Sequence, residues 1–355
     1  MSMPDPKKIL IVRFSSIGDV ILASPFIRVM RSRFPKAQID FVVKSEYAEL
    51  VKFNHHLSSV IELKTPDPGE LMALRKKIQG GGYDVIFDLH NSLRSRYLRA
   101  FSSATSVSVV QKHALARFLL ITFKWNTYKA AVPIADRYFG TAQTFGVRND
   151  DKGLEIFIPD ESLFSVSSMM AKHRLDRYNS VLGIAPAANH TTKMWLQERF
   201  AEVAVEAVRA RQAKIFIFGG QEDLQRCNEI ASSINSSASM EAAVSFAGKL
   251  TLLETAAALD FCDVVLCNDT GIMHLAAARQ RNVVAIFGPT VQEFGFFPYG
   301  TRAEVIEHND LPCRPCTHIG SENCPQGHFR CMKDTTVDRV LRALTSMMAH
   351  QQISV

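Results

Sequence analysis

The segment Asp263–Pro289, DVVLCNDTGIMHLAAARQRNVVAIFGP, concentrates much of the chemistry this chain can offer. An apolar run of strand type delivers Asn268, Asp269, Thr270 and Gly271, and a helical period begins at once with His274 in its first turn. Backbone N–H groups past Gly271, the Thr270 hydroxyl and the helix dipole together suit a pyrophosphate. Ordinary capping by Asp269 or Thr270, and a core role for His274, fit the same letters. Three more loops follow apolar runs. Arg13-Phe-Ser-Ser-Ile-Gly-Asp19 sets a carboxylate beside a helix start, where the dipole keeps it ionised and able to act as a general base. A plain N-cap at Ser15, Ser16 or Asp19 is the competing account. The loop Pro186–Trp195 carries Thr191, Thr192 and Lys193, two hydroxyls and an ammonium that suit a diphosphate and the charge of a leaving nucleotide, or else a polar surface loop. Gly219-Gly220-Gln221-Glu222-Asp223 offers an acid for a ribose diol, or for another helix cap. No GxGxxG or GxxxxGK[ST] occurs, which argues against dinucleotide and P-loop sites.

Cys313-x2-Cys316-x7-Cys324-x6-Cys331 places four thiols within nineteen residues. In a reducing compartment this spacing favours a structural Zn or Fe site over disulfides, with free reduced thiols as the alternative. Cys227, Cys262 and Cys267 read as ordinary buried thiols. Asp88-Leu-His90-Asn91-Ser-Leu-Arg94 ends another apolar run, and His90 or Arg94 there suits a phosphorylated sugar. Lys112–Lys129, KHALARFLLITFKWNTYK, mixes cations and aromatics around an apolar middle. It reads either as a partly buried helix with a basic face or as a segment resting on an anionic leaflet.

These loops need elements to hold them. Strand-type runs at Lys7–Phe14, Gln38–Lys44, Tyr83–Leu89 and, more weakly, Ser106–Val110 alternate with helical periods, one of which spans Val20–Phe34. The pattern restarts with a helix-like stretch at Ser165–Tyr178. Strands at Ser180–Ile184, Lys214–Phe218, Asp263–Cys267 and Val283–Phe287 follow, with an amphipathic helix at Gln197–Arg211. Strand–helix alternation implies parallel sheets, so the fold class is α/β with two Rossmann-like domains and a cleft between them. The expected division is 1–168, 169–335 with the Cys-rich loop, and a final helix within 336–355 that returns to the first domain. At 355 residues, 47% hydrophobic and 21% charged, the chain fills two such domains. The net charge of +6 selects no partner by itself. The polar start and the lack of a spanning apolar run predict a cytoplasmic protein.

LIVRFSSIGDVILASP, TTKMW, FGGQED, NDTGIMHLAAA with FGPT, and CRPC…CPQGHFRCM stand in one order over residues 9 to 332. Together they resemble glycosyltransferase family 9, the ADP-heptose:lipopolysaccharide heptosyltransferases. The resemblance implies a GT-B fold and inverting transfer of heptose from ADP-heptose to a Kdo or heptose of a lipid-linked inner-core acceptor, with no cofactor needed for the chemistry. It makes Asp19 the base, with Ser15, Ser16 and Gly18 shaping its loop. It gives Thr191, Thr192 and Lys193 to the donor diphosphate, Glu222 or Gln221 to the ribose, and Asp269, Thr270, Gly271 and His274 to the donor's phosphates and heptose. Lys249-Leu250 matches the adenine-side segment. His90, Asn91 and Arg94 fall on the acceptor side, where relatives commonly have Gln in place of His90. The implied location is the cytoplasm, with peripheral contact at the inner face of the inner membrane. Two other readings are a GT-B enzyme with a different nucleotide sugar and a Cys-cluster nucleic-acid binder. The second lacks the dense cations and aromatics such a site needs.

Overall fold

The computed structural model describes residues 5–65 and 67–349. Two compact units emerge from the contacts. The first holds the chain up to His113 together with Val132–Phe157, and the second holds Ala114–Ala131 and everything from Ile158 onward. The contacts change sides at 157/158 rather than 168/169 because the helix Asp160–Ala171 buries Val166 and Met170 and packs on the helix Leu252–Leu259 of the second unit.

The first sheet contains β1 (Lys8–Val12), β2 (Gln38–Lys44), β3 (Ser59–Leu63), β4 (Val85–Asp88) and β5 (Ser106–Val109). Its order is β3-β2-β1-β4-β5, every pair parallel. The strands read as apolar runs because helices cover both faces of such a sheet. Val20–Phe34 is two helices, Ile17–Ile21 and Ser24–Arg33. Pro25 sits at the start of the second, having no N–H for a carbonyl one turn back and a ring that clashes with it.

The second sheet contains β6 (Ser180–Ala185), β7 (Ala213–Ile217), β8 (Ala243–Ser245), β9 (Val264–Asn268), β10 (Asn282–Ile286) and β11 (Ala303–Ile306). Its order is β11-β10-β9-β6-β7-β8, again all parallel. In each sheet the strand order reverses once, between β1 and β4 and between β6 and β9, and ligands of open α/β sheets bind outside the strand ends at such a reversal. The loops after these four strands are Arg13–Asp19, the turn after Asp88, Pro186–Trp195 and Asp269–Gly271. The last helix, Val337–Ala349, buries Val340, Ala343, Leu344 and Met347 in the core of the second unit, against β9, β10 and β11. As far as the described residues run, it packs on the second sheet. His350, to which its helical period extends, lies outside the described residues.

Ile215 has no exposure at the centre of that core. Ile215→Ala should cost about 2–5 kcal/mol in urea unfolding of the second unit, because neighbouring strands cannot collapse into the space.

Candidate active site

In the first unit, Asp19 lies in the first turn of Ile17–Ile21, and its Oδ2 accepts from the Ser16 backbone N–H and hydroxyl, each at 3.2 Å. Its Oδ1 pairs with the Arg13 guanidinium, and both side chains are largely buried. Burial works against the charge on Arg13, but Asp19 and Tyr138 outweigh it and raise the guanidinium pKa further. Arg13 Nη1 also donates to the Leu89 carbonyl at 2.7 Å, which ties the loop after β1 to the loop after β4. There Asp88, fully buried, accepts from the backbone N–H groups of His90 (3.0 Å) and Asn91 (2.7 Å) and pairs with Arg99. Asn91 occupies the left-handed region at φ 47° and donates to the Val110 carbonyl. The His90 ring meets Phe14 edge-on at 5.0 Å. Burial, with Arg13 and Lys112 nearby, lowers its pKa to about 3, so His90 is neutral at pH 7. Arg94 stands exposed in the first turn of the helix Leu93–Arg99. Ser15, Ser16, Gly18, Asp19, His90 and Asn91 thus share the edge where the first sheet reverses, with Arg94 one turn further on.

In the second unit, Lys193 Nζ pairs with Asp269 Oδ2 at 2.6 Å, and the Thr290 hydroxyl donates to the same oxygen at 2.9 Å. Asn268, fully buried, accepts from the Trp195 backbone N–H and donates to the Pro186 carbonyl, so the loops after β6 and β9 are bolted together. Thr270 is the N-cap of the helix Gly271–Ala278, yet its side chain makes no capping hydrogen bond. The hydroxyl and the helix's first N–H groups point to an anion site. Glu222 is exposed beside Gln221, whose side chain lies over Gly248. Gly248 has φ +67° and an added Cβ would stand 2.3 Å from Gln221 Oε1, so glycine brings the Lys249-Leu250 segment against this loop.

A profile of "Glycosyltransferase family 9 (heptosyltransferase)" matches residues 71–326. The chain belongs to glycosyltransferase family 9. It is 26% identical over 341 residues to lipooligosaccharide heptosyltransferase 2 of Campylobacter jejuni, covering 95% of this chain and 97% of that one. The solved glycosyl transferase family 9 structure from Veillonella parvula superposes with a TM-score of 0.80 at 23% identity, covering 97% of this chain and 98% of that one. E. coli ADP-heptose lps heptosyltransferase II gives 0.73 at 21% identity, covering 97% and 99%. The two parallel sheets are those of the GT-B fold, and this family 9 member is a glycosyltransferase.

For several of these residues the structure adds partners that the letters did not show. Thr192 is buried, and its hydroxyl both donates to the Ser321 carbonyl and accepts from the Ser321 N–H, each at 2.8 Å. It braces the loop from behind, while the Thr191 hydroxyl turns to Glu322. His274 is 3% exposed, on the core side of its helix. The four cysteine thiols gather near one another, Cys316 facing Cys313 and Cys331, and Cys331 facing Cys324 and Cys313. Cys316 Sγ donates to the Cys313 carbonyl at 3.1 Å, and Cys331 sits in the hydrophobic core. Burial pushes these two thiols up, to about 12 for Cys316 and about 11 for Cys331. Among the described residues no three His, Cys, Asp or Glu side chains are set to hold a metal ion.

What this loop does hold is Arg314, a residue passed over between two conspicuous cysteines. Its 2% exposed guanidinium pairs with Glu307 and donates to the carbonyls of Gly288 (2.5 Å), Thr290 (2.7 Å) and His308 (2.5 Å). Together with Ser321, it fixes the segments that carry Thr290 and Lys193. Gly320 permits the Ser321 contact, since at φ +101° an added Cβ would stand 2.7 Å from His190 Cβ.

Arg314→Leu strands three buried carbonyls and a carboxylate, and should cost about 3–5 kcal/mol in thermal unfolding. His90 contributes to the pH response of the first unit, beside His56, whose pKa burial lowers to about 4. The folded His90 pKa of about 3 lies below the unfolded value near 6.5, so as pH falls the unfolded chain takes the proton first and stability drops between those limits. His90→Gln should remove about 1–2 kcal/mol of the loss between pH 7 and 5, measured by urea unfolding at both.

Proposed function

We propose that this enzyme transfers heptose, with inversion, from ADP-heptose to a Kdo or heptose of a lipid-linked lipopolysaccharide core acceptor. The observation that carries it is one carboxylate, Asp19, held at the reversal of the first sheet, and one ammonium, Lys193, held beside an uncapped helix start at the reversal of the second. The acceptor hydroxyl oxygen attacks the anomeric carbon as the bond from that carbon to the β-phosphate oxygen breaks. The hydroxyl proton passes to Asp19, and the electron pair of the broken bond stays on departing ADP. Lys193, the Thr270 hydroxyl and the N–H groups after Gly271 meet the charge gathering on the diphosphate.

The ion pair with Arg13 and the two donors of Ser16 hold the Asp19 carboxylate in place to receive a proton. The transition state is oxocarbenium-like, so the proton departs late and a weak base suffices. Glu222 takes the ribose diol, and Lys249-Leu250 lies on the adenine side. Neutral His90 offers one donor and one acceptor to the acceptor sugar, as an amide would, and Arg94 takes its phosphate. The reading places the enzyme at the cytoplasmic face of the inner membrane. The Cys313–Cys331 loop enters it as the scaffold of the donor loops, and stoichiometric zinc or iron in the purified protein would reassign that loop.

Asp19→Asn should lower kcat about 10³-fold with truncated core acceptors, followed by mass spectrometry, and leave ADP affinity unchanged. Near-normal turnover would remove Asp19 as the base. Lys193→Met should weaken ADP binding and cut kcat about 10²-fold. A panel of nucleotide sugars in the same assay decides the donor, and turnover with another sugar in preference to ADP-heptose would replace this reading.

A further inference from the structure

From Leu89 to Ala135 the chain carries seven Lys or Arg and not one Asp or Glu. Nine of the fourteen large apolar side chains that stand exposed among the described residues fall in the same stretch. Its densest part is the helix Ala114–Phe123 with the turn that follows. One side of this segment is fixed. Leu120 is buried, Arg117 Nη1 meets His318 Nε2 at 3.2 Å, Lys124 Nζ donates to the Pro315 carbonyl at 2.7 Å, and Asn126 donates to Glu293 at 2.7 Å.

The other side is bare. Leu115 and Phe118, three residues apart on one helix face, are 71% and 55% exposed. Phe123 and Trp125 continue the patch, with ring centroids 6.0 Å (Phe118–Phe123) and 5.5 Å (Phe123–Trp125) apart. A run of touching aromatics left in water is not what a soluble surface tolerates without a partner. Lys129 flanks it, while the Lys124 ammonium is turned to the Ile121 and Pro315 carbonyls of the fixed side, and no carboxylate belongs to the segment itself. Aromatic rings beside cations match the headgroup layer of an anionic bilayer, where ring bodies enter the acyl boundary and ammonium groups remain at the phosphates.

We propose that Leu115, Phe118, Phe123 and Trp125, with Lys129, form a docking surface for an anionic phospholipid bilayer. The fixed side lets this surface seat the second unit on the membrane without refolding. None of these residues is among the donor and acceptor residues named above, so the surface is tested apart from the transferase reading.

The probe is a set of vesicles free of any sugar acceptor, either mixed phosphatidylethanolamine and phosphatidylglycerol or pure phosphatidylcholine. Of the two tryptophans, Trp195 is 1% exposed, so a blue shift in emission on adding vesicles reports Trp125. The full chain should float with the anionic vesicles and show that shift. Phe118→Ser with Phe123→Ser should lower the partition constant at least about tenfold, and Lys129→Gln should lower it by several fold. Both variants should keep the wild-type melting temperature and the wild-type turnover on a soluble acceptor. The absence of flotation, equal flotation with phosphatidylcholine, or a self-association that the same substitutions abolish would each overturn the proposal. The last outcome would give the patch to a second copy of the chain.

Discussion

In a parallel sheet every strand must end on the same edge, and that constraint organises the rest of this protein. Each return passes through a helix, so the edge collects loops, helix starts and their unpaired N–H groups in one line. Where the strand order reverses, two neighbouring loops diverge to opposite faces and leave room for a ligand. Both sheets obey this rule, and the four loops at the two reversals hold nearly all the residues with chemistry to offer.

The loops are held by buried polar struts. Asp88 gathers two backbone N–H groups and Arg99, Asn268 joins the loops after β6 and β9, and Arg314 gathers three carbonyls and Glu307. Each satisfies backbone groups that a loop would otherwise bury unpaired, at the cost of being irreplaceable by an apolar side chain. The Cys-rich loop is the largest of these devices. Its arginine and Ser321 reach the segments carrying Thr290 and Lys193, and its Pro315 carbonyl and His318 ring reach the exposed aromatic helix.

The central strands were legible because burial on both faces writes a continuous apolar run, as in β1, β6 and β9. The strands the letters did not reveal, β3, β8 and β11, are edges. Ser59–Leu63 alternates with exposed residues, and Ala243–Ser245 is three residues long. Site loops were legible as positions, since Asp19, Lys193 and Asp269 all follow such runs. Their partners were not. Thr192 and Ser321 are 129 residues apart, and nothing local marks one as the other's counterpart. Arg314 was masked by the cysteine spacing around it, which signals a metal more loudly than a lone arginine signals a strut.

The pair between Lys193 and Asp269 has a consequence for turnover. The ammonium is paired with a carboxylate that Thr290 also holds in place. On the proposed reading, a diphosphate that reaches Lys193 must exchange with this counter-charge rather than add to a lone cation. Part of the binding energy would go into that exchange, so the pair would hold a nucleotide less tightly than an unpaired lysine. The same carboxylate would then compete for the lysine as the product leaves.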